Sequence, residues 1–355
     1  MKADPAGMGP VRFVDNDAED GLVRLFGDLP PREPGNEHVC LKVLALSGGG
    51  SGGAFGAGAL VGLSQAGTRP TFDVVTGVST GALIAPFAFL GSDWDDRLTA
   101  AYCGGQASDL LSLGALRPGP SLFGGEALAG LVSRYVDEPI LAAVREAHLS
   151  GRRLFVATAN LDTESTSIWD MGAIASEGGE AALALFIDVL VASASLPGLF
   201  PPRMITVESG GKICEEMHVD GGTISPMFVV PEPFLLSSAR DWPEASIEVY
   251  ALVNTTLEAD SRATPMSAIP ILIRSFEMML RASYRNALRS VAAFCEINDF
   301  ALHTASIPTD RSMGSMLRFE PPVMAAMFRC GEQLARDGVL WSTASQILRR
   351  RSTRA

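Results

Sequence analysis

The chain has 355 residues and a mass of 37.4 kDa, which is enough to bury one large hydrophobic core. Hydrophobic residues make up 47% of the sequence and charged residues 19%, a globular composition that excludes an intrinsically disordered chain. The formal net charge of −12 excludes the basic footprint that nucleic-acid binding requires, and the five scattered cysteines do not have the spacing of metal ligands. We therefore expect neither a nucleic-acid partner nor a metal site.

Residues 1–38 are rich in proline, glycine and aspartate, and we expect them to form an extended or loosely docked N-terminal arm. They contain no apolar segment of the kind that directs secretion. The longest apolar stretch, Ala181–Phe200, is broken by Pro197-Gly198, so it predicts a buried helix rather than a membrane span. We therefore expect a cytoplasmic protein in which residues 39–355 form one domain.

The segment from Leu41 to Leu90 has the pattern of two consecutive strand–helix pairs. An almost continuous apolar run up to Leu46 predicts a central strand, and a run of glycines leads from it into a helix that ends near Gln65. A second apolar run, Phe72–Val75, is followed by a second helical segment. Such a βαβα arrangement predicts a parallel sheet with right-handed crossovers.

The rest of the chain continues to alternate between strands and helices. Asp137-Glu138-Pro139 has the composition of a helix start, with acidic residues and proline in the first turn. Further strands are predicted at residues 153–160, 166–169, 204–207, 212–220 and 247–253, and further helices at 181–194, 267–294 and within 322–350. The pattern predicts an α/β domain whose C-terminal part, about residues 260–355, is mainly helical.

The pentapeptide Gly77-Val78-Ser79-Thr80-Gly81 lies between the second predicted strand and its helix. It has the G-x-S-x-G pattern of a nucleophile elbow, in which a tight strand-to-helix turn exposes a serine for attack. Side chains at positions 77 and 81 would collide with the neighbouring backbone in such a turn, which explains both glycines. The alternative is an ordinary turn in which Ser79 only caps the helix.

The glycine-rich run at residues 47–58 has three interpretations. Gly48, Gly50 and Gly53 satisfy the G-x-G-x-x-G pattern of a dinucleotide-binding loop, but no acidic residue ends the second strand to bind a ribose. In the second interpretation, the N–H groups of Gly49 and Gly50 form an oxyanion hole for acyl transfer. The third is a plain strand-to-helix loop. The elbow just downstream favours the oxyanion hole.

A serine nucleophile needs a base. The sequence has four histidines, at positions 38, 148, 218 and 303. His218 precedes Asp220 by two residues on a predicted strand, so both side chains would point to the same face of the sheet. Asp220, which is followed by Gly221-Gly222, can take the serine proton itself if burial raises its pKa from about 3.9. In the alternative, His218 is the base. If Asp220 is the base, His218 is a neighbour that orients the site or a structural residue.

Four motifs occur in a defined order along the chain. They are Ser47–Gly50 with Gly53, the elbow at 77–81, Ala192–Pro197, and Asp220-Gly221-Gly222. In this order and spacing the chain resembles the patatin-like phospholipases, over about residues 41–225. The resemblance implies a three-layer α/β/α fold with a mostly parallel central sheet and additional C-terminal helices.

The resemblance also implies a Ser–Asp dyad, with Ser79 as the nucleophile and Asp220 as the base. It assigns the oxyanion hole to the amides of three consecutive glycines, Gly48, Gly49 and Gly50. A supporting role falls to Gly53, Gly77, Gly81, Pro197, Gly221 and Gly222. The chain departs from the family at Gly52, where arginine or lysine is common, so we expect no charge contact with a substrate phosphate from this position.

The implied activity is that of a lipid acyl hydrolase, of the phospholipase A or lysophospholipase type, which forms an acyl-enzyme and needs no cofactor. We expect a lipid or phospholipid substrate and transient contact with a membrane surface. Two alternatives stay open: a lipid acyltransferase with the same dyad, and, from another class, a nucleotide-binding protein that uses the Gly48–Gly53 loop. Methionines 278, 279, 313, 316, 324 and 327 are interpreted as core rather than as a wall for an acyl chain.

Overall fold

The computed structural model describes residues 3–17, 21, 23–25, 40–105, 107, 110, 121–235, 246–258, 261–311 and 314–343. His38, Met313 and the end of the predicted C-terminal helix lie outside these ranges. The strands are β1 (Asp4–Pro5), β2 (Arg12–Val14), β3 (Cys40–Leu46), β4 (Val74–Val78), β5 (Arg153–Asn160), β6 (Ser165–Asp170), β7 (Arg203–Ser209), β8 (Lys212–Asp220), β9 (Ser246–Val253), β10 (Ala301–Ser306) and β11 (Ser342–Thr343). The α-helices are α1 (Gly53–Gln65), α2 (Thr80–Leu90), α3 (Asp95–Cys103), α4 (Gly125–Tyr135), α5 (Glu138–Leu149), α6 (Met171–Glu177), α7 (Gly179–Ser193), α8 (Ala268–Ile297) and α9 (Pro321–Arg336).

The strands form one mixed sheet in the order β1-β7-β8-β5-β4-β3-β9-β10-β11, in which β6 pairs with β5 and β2 pairs with β6. The five strands from β5 to β10 in this order are parallel and form its centre. The outer strands are antiparallel. β4 and β5 are buried along their whole length, as expected for parallel strands covered by helices on both faces.

Helices cover both faces of this sheet, and β3 shows how the two faces differ. Leu44 and Leu46 belong to a core that includes side chains of α1, α2, α7 and α9. Val43 and Ala45 point the other way, into a core that they share with α8. This alternation follows from the two-residue period of a strand. The predicted three-layer α/β/α fold with a mostly parallel central sheet is confirmed.

Most predicted elements are confirmed, with boundaries that shift by a few residues. Asp137 caps the start of α5, where its carboxylate accepts a hydrogen bond from the Ile140 N–H at 3.3 Å. The helical prediction for 322–350 is wrong for residues 337–343. Gly338 adopts a left-handed conformation (φ 70°) just after α9, a common way to end a helix, and the chain then enters β11.

The described part of the N-terminal arm is joined to the sheet through β1 and β2. The Arg12 guanidinium forms an ion pair with Glu216 of β8 at 2.6 Å and lies 5.0 Å above the Trp169 ring. Val11 and Phe13 are buried. The described part of the arm therefore contains two short extended strands that pair with the sheet.

Candidate active site

Ser79 stands at the sharp turn between β4 and α2. Its backbone has φ 56° and ψ −128°, a conformation that non-glycine residues rarely adopt and that costs about 1–3 kcal/mol. The flanking glycines leave room for this turn. A Cβ atom at Gly77 would lie 2.7 Å from the Ala82 Cα, and one at Gly81 would lie 2.3 Å from the Leu46 carbonyl oxygen. The sequence therefore forms here the sharp strand-to-helix turn that its pattern predicted.

Asp220 ends β8 and faces Ser79. Val78 pairs with Ala157 and Asp220 pairs with Thr158, so β4 and β8 end beside consecutive residues of β5. The Ser79 hydroxyl donates a hydrogen bond to Asp220 Oδ2 at 2.6 Å. Register within the sheet thus brings together two residues that are far apart in the sequence.

The turn after β8 fixes the orientation of the carboxylate. Asp220 Oδ1 accepts a hydrogen bond from the Gly222 N–H at 2.8 Å. Gly221 approaches β5 so closely that a Cβ atom there would lie 2.4 Å from the Ala157 carbonyl oxygen. The aspartate and its two glycines therefore form one tight unit, in which each glycine has a distinct function.

Burial sets the protonation of this carboxylate. It raises the pKa of Asp220 from 3.8 to about 7, although the hydrogen bonds from Ser79 and Gly222 act in the opposite direction. Asp220 is 3% exposed and Ser79 is 8% exposed. The pair is thus a largely buried hydroxyl–carboxyl couple in which the carboxyl gains and loses its proton near neutral pH.

The segment Ala192–Pro197 supports the two residues from behind. The Ser193 hydroxyl accepts a hydrogen bond from the Ser79 N–H at 3.0 Å and donates one to the Ala157 carbonyl at 2.7 Å. The Ser195 carbonyl accepts a hydrogen bond from the Asp220 N–H at 2.9 Å. Pro197 is exposed in the turn after α7, so the two serines, rather than the proline, provide the contacts with the site.

Gly48 lies directly against the elbow. A Cβ atom at this position would be 2.9 Å from the Ser79 Cβ and 2.7 Å from the Tyr284 hydroxyl oxygen. Its N–H donates to the Pro226 carbonyl at 3.4 Å, a long hydrogen bond. Gly48 therefore provides space beside the serine, while its amide already has an acceptor.

Gly49 and Gly50 open a short 3-10 helix, Gly50–Gly52, ahead of α1. Their φ angles are 155° and 57°, so both adopt conformations that favour glycine. Within the described part of the chain, neither N–H group has a hydrogen-bond acceptor. These two amides are thus available to an oxygen atom bound beside Ser79. Gly53 lets α1 approach α2, since a Cβ atom there would lie 2.1 Å from Thr80 Oγ1.

Residues outside the predicted motifs hold the glycine run in place. The Asn254 side-chain amide donates to the Ser47 carbonyl at 2.7 Å, and the Asn254 N–H donates to the Ser47 hydroxyl at 3.0 Å. The Met316 carbonyl accepts a hydrogen bond from the Ser51 N–H at 2.8 Å. Glu277 of α8 fixes Met316 in turn, by accepting from its N–H at 3.1 Å. No local sequence pattern identified these contacts.

Tyr284 of α8 covers the site and was also missed by the sequence reasoning. Its side chain is buried, and its hydroxyl lies beside the position that a Gly48 side chain would occupy. Burial, and to a smaller extent the nearby Asp220 carboxylate, raises the pKa of Tyr284, so its hydroxyl keeps its proton. The only signal in the sequence was the helical periodicity around it.

Two cavities flank the glycine run. An apolar cavity begins at Gly50 and Thr80 and is lined further on by side chains such as Leu83, Phe87 and Val132. A second, more polar cavity lies on the other side, and its lining includes Gly49, Gly52, Asn254, Glu277, Arg281 and Tyr284. The two cavities therefore differ in chemical character, and each adjoins the glycine run.

His218 belongs to a hydrogen-bonded network on β8. Its Nδ1 is 2.9 Å from Thr158 Oγ1, which also accepts from Trp169 Nε1 at 2.8 Å. Thr158 therefore donates its own proton to Nδ1, and His218 carries its proton on Nε2, which is 3.2 Å from Glu216. Burial lowers the pKa of His218 despite the neighbouring Glu216, so the ring stays neutral. Both ring nitrogens are already used in this network.

The other described histidines lie elsewhere. His303 stacks on the Tyr250 ring with a centroid distance of 4.6 Å, and His148 lies 3.7 Å from the Asp170 carboxylate. Within the described part of the chain, no histidine forms a hydrogen bond with Ser79. The described hydrogen-bond partner of the Ser79 hydroxyl is Asp220, whereas the His218 ring bonds to Thr158 and Glu216.

A family model for Patatin-like phospholipase matches residues 44–231, more than half of the chain. The chain belongs to the patatin-like phospholipase family. The match covers the elbow, the Ala192–Pro197 segment and the Asp220 turn, and it begins in β3, just before the glycine run. No curated protein sequence gives a significant match.

Two solved structures are similar to this patatin-like chain at low sequence identity. VipD from Legionella pneumophila is 12% identical, and the match covers 84% of this chain and 67% of VipD, with a TM-score of 0.40. Human GIVD cytosolic phospholipase A2, in complex with methyl gamma-linolenyl fluorophosphonate inhibitor and terbium chloride, is 11% identical. That match covers 93% of this chain and 61% of the human protein, with a TM-score of 0.36.

Membership of the patatin-like phospholipase family indicates a lipid acyl hydrolase with a lipid substrate. The described residues contain no cluster of three or more histidine, cysteine or acidic side chains that could hold a metal ion. None of the described helices has the length and apolar character needed to cross a membrane.

The departure of this patatin-like chain at Gly52 has a structural reason. A Cβ atom at Gly52 would lie 2.0 Å from the Asn254 carbonyl oxygen, so the loop after β9 leaves no room for an arginine or lysine side chain. Arg281 of α8 lines the polar cavity beside this position. A cation is thus present in the cavity, although it comes from a different element.

Proposed function

We propose that the protein hydrolyses carboxylic esters of lipids, as a phospholipase A or lysophospholipase, with Ser79 as the nucleophile and Asp220 as the base. The observation that carries this proposal is the 2.6 Å hydrogen bond from the Ser79 hydroxyl to the Asp220 carboxylate. Burial raises the pKa of this carboxylate to about 7. A base is most effective when its pKa is close to the working pH, so an otherwise weak base becomes suitable for the task.

In the first half of the reaction, Ser79 Oγ attacks the ester carbonyl carbon while its proton passes to Asp220 Oδ2. The carbonyl oxygen becomes negative and accepts hydrogen bonds from the Gly49 and Gly50 N–H groups, which have no other acceptor among the described residues. The tetrahedral intermediate collapses when Asp220 gives the proton to the departing alkoxide. The products of this half are an ester of Ser79 and a free alcohol.

In the second half, water replaces the alcohol. Asp220 removes a proton from the water molecule as its oxygen attacks the acyl-enzyme carbonyl, and the same two amides stabilise the second tetrahedral intermediate. Asp220 then returns the proton to Ser79 Oγ as the acyl bond breaks. The fatty acid leaves, and the hydrogen bond between the two residues forms again.

The two cavities suggest how the substrate is oriented. The apolar cavity that begins at Gly50 and Thr80 suits the acyl chain, because its lining is mainly aliphatic and aromatic. The polar cavity, lined in part by Glu277, Arg281 and Tyr284, suits the alcohol side of the ester with its head group. This orientation leaves the ester carbonyl beside the glycine run.

The test compares the wild type with Ser79→Ala on a short p-nitrophenyl ester and on phospholipid vesicles. We expect the variant to lose both activities and its labelling by a fluorophosphonate probe, with a melting temperature within a few degrees of the wild type. Ser176→Ala, which removes a hydroxyl on α6 far along the chain, serves as the control and should keep all three properties. A well-folded Ser79→Ala protein with substantial turnover would disprove the assignment of the nucleophile. Adding an acceptor lipid to the same assay distinguishes hydrolysis from acyl transfer.

A further inference from the structure

The beginning of α8 and the turn before it carry an exposed apolar surface. Six large apolar side chains between residues 266 and 279 are exposed: Met266, Ile269, Ile271, Leu272, Met278 and Met279. They account for six of the sixteen exposed large apolar side chains in the described part of the chain, so the surface is concentrated in one place. Contiguous exposed apolar surface of this kind marks an interaction site rather than chance exposure.

The helical spacing places four of these side chains on one face. Ile271, Leu272, Met278 and Met279 repeat at intervals of about seven residues, so they form one stripe along the outside of α8. Leu272 is 70% exposed and Met279 is 68% exposed. The interpretation of the methionines as core is therefore wrong for positions 278 and 279. The inward face of α8 is already occupied by other side chains that pack on the sheet.

The charge of this segment is opposite to that of the whole protein. Residues 261–290 contain five arginines and one acidic residue, a formal charge of +4 in a chain of −12. The acidic residue, Glu277, is buried and forms ion pairs with Arg262 and with Arg274. Arg289 is exposed. Arg281 is buried, so it adds nothing to the surface charge, but the apolar stripe still lies in a basic segment whose one carboxylate is neutralised within the fold.

The stripe lies close to the candidate active site along the same helix. Leu280, next to Met279, approaches the Asp220 turn, where its Cδ2 is 4.0 Å from the position of a Gly222 Cβ. Tyr284, five residues after Met279, places its hydroxyl beside Gly48, which adjoins Ser79. Five residues of α-helix span about 7.5 Å. A surface that holds the stripe would thus also be close to Ser79.

We propose that this surface, residues 266–279, docks the protein on an anionic lipid bilayer. The apolar side chains enter the boundary between head groups and acyl chains, and the arginines of the segment that reach the surface, such as Arg289, attract the anionic head groups. The same bilayer repels the acidic remainder of the protein, so binding selects the orientation in which α8 faces the lipid. This inference rests on the proposed function only in taking the bilayer as the source of the substrate.

The experiment measures co-sedimentation of the full chain with phosphatidylcholine vesicles, with and without phosphatidylglycerol. The test variant is the double substitution Leu272→Glu with Met279→Glu, and the matched control is Ile213→Glu with Val339→Glu, at two apolar side chains that are 72% and 62% exposed elsewhere. We expect the wild type and the control to bind phosphatidylglycerol-containing vesicles more tightly than neutral ones. We expect the test variant to bind at least about tenfold more weakly, because it loses two apolar contacts and gains two negative charges.

Activity on two substrates separates docking from chemistry. The test variant should lose hydrolysis of vesicle lipid in proportion to binding, while its turnover of a water-soluble ester and its melting temperature stay unchanged. Three results would overturn the proposal. The test variant could bind the vesicles as tightly as the wild type does, the control could lose as much binding as the test variant, or the wild type could fail to bind. A wild-type dimer that the test variant makes monomeric, without any effect on vesicles, would assign the surface to a second copy of the chain. Inactivity of the wild type on every ester would refute the proposed function but would leave the binding result intact.

Discussion

The raised pKa of Asp220 predicts that this carboxylate lowers the stability of the fold at neutral and alkaline pH. Burial raises the pKa from 3.8 to about 7 in the folded protein, so the folded state binds this proton more tightly than the unfolded state does. The associated contribution to stability is fully present below the unfolded pKa, and it is lost as the pH rises to the folded pKa near 7. Asparagine at this position has nearly the same size and no charge, so Asp220→Asn removes the effect.

The magnitude follows from the distance between the two pKa values. Each pKa unit corresponds to about 1.4 kcal/mol, and about two units lie between about pH 5 and the folded pKa. The wild type should therefore lose about 3 kcal/mol of unfolding free energy relative to Asp220→Asn between about pH 5 and about pH 8. Burial also raises the pKa of Asp15, to about 6, but Asp15 is present in both proteins and its effect cancels in the comparison.

The assay is urea denaturation of both proteins at the two pH values, together with kcat/KM across the same range. Wild-type kcat/KM should rise with pH with a midpoint near about 7, because Asp220 must be ionised to accept a proton. The Asp220→Asn variant should lose activity by about 100-fold or more at every pH. Ser79→Ala, which keeps the carboxylate, should lose stability with pH at least as steeply as the wild type. A free-energy difference between wild type and Asp220→Asn that is the same at both pH values would refute the reasoning.

The remaining predictions concern the buried histidine and the apolar cavity. His218→Ala should lower the unfolding free energy by about 3 kcal/mol in urea denaturation. The Thr158 hydroxyl loses its acceptor, and the Glu216 carboxylate loses a donor. Turnover per folded molecule, with the folded fraction measured by circular dichroism, should change by less than about tenfold, and a folded variant as inactive as Ser79→Ala would restore His218 as the base. Leu83→Trp should fill part of the apolar cavity and lower kcat/KM for p-nitrophenyl dodecanoate about tenfold relative to the butyrate ester. An unchanged ratio of the two values would show that the acyl chain binds elsewhere.

The parts of the molecule that could be predicted from the sequence depend on local patterns. The turn at Ser79 needs glycines at fixed positions, and the central strands need continuous apolar runs, so each is visible in a short window. The residues alone offered Asp220 as one of two possible partners of Ser79, beside His218, and only the family resemblance chose between them. In the structure it results from the pairing of β8 with β5, a register that no short window contains.

The features that were missed depend on contacts between distant parts of the chain. The docking of the N-terminal residues relies on Arg12, whose partner Glu216 lies on β8, and the composition of the arm gave no sign of it. Tyr284 looks like any other buried position of an amphipathic helix until the helix is placed over the site. The wrong end of the last predicted helix is different, since Gly338 was a readable signal that the periodic pattern outweighed.

The support of the glycine run by Asn254 and Met316 has a consequence for how the chain can be divided. The family match ends at residue 231, so it includes Ser79 and Asp220 but neither of these two supports. It also excludes β9, the neighbour that covers one edge of β3 in the sheet. A fragment cut after residue 231 would keep each motif residue, yet one edge of β3 would be unpaired. The glycine run would also lose its hydrogen bonds with Asn254 and Met316. The part that the family model matches, residues 44–231, therefore does not fold as a separate unit, and any shortened protein must extend at least through residue 316.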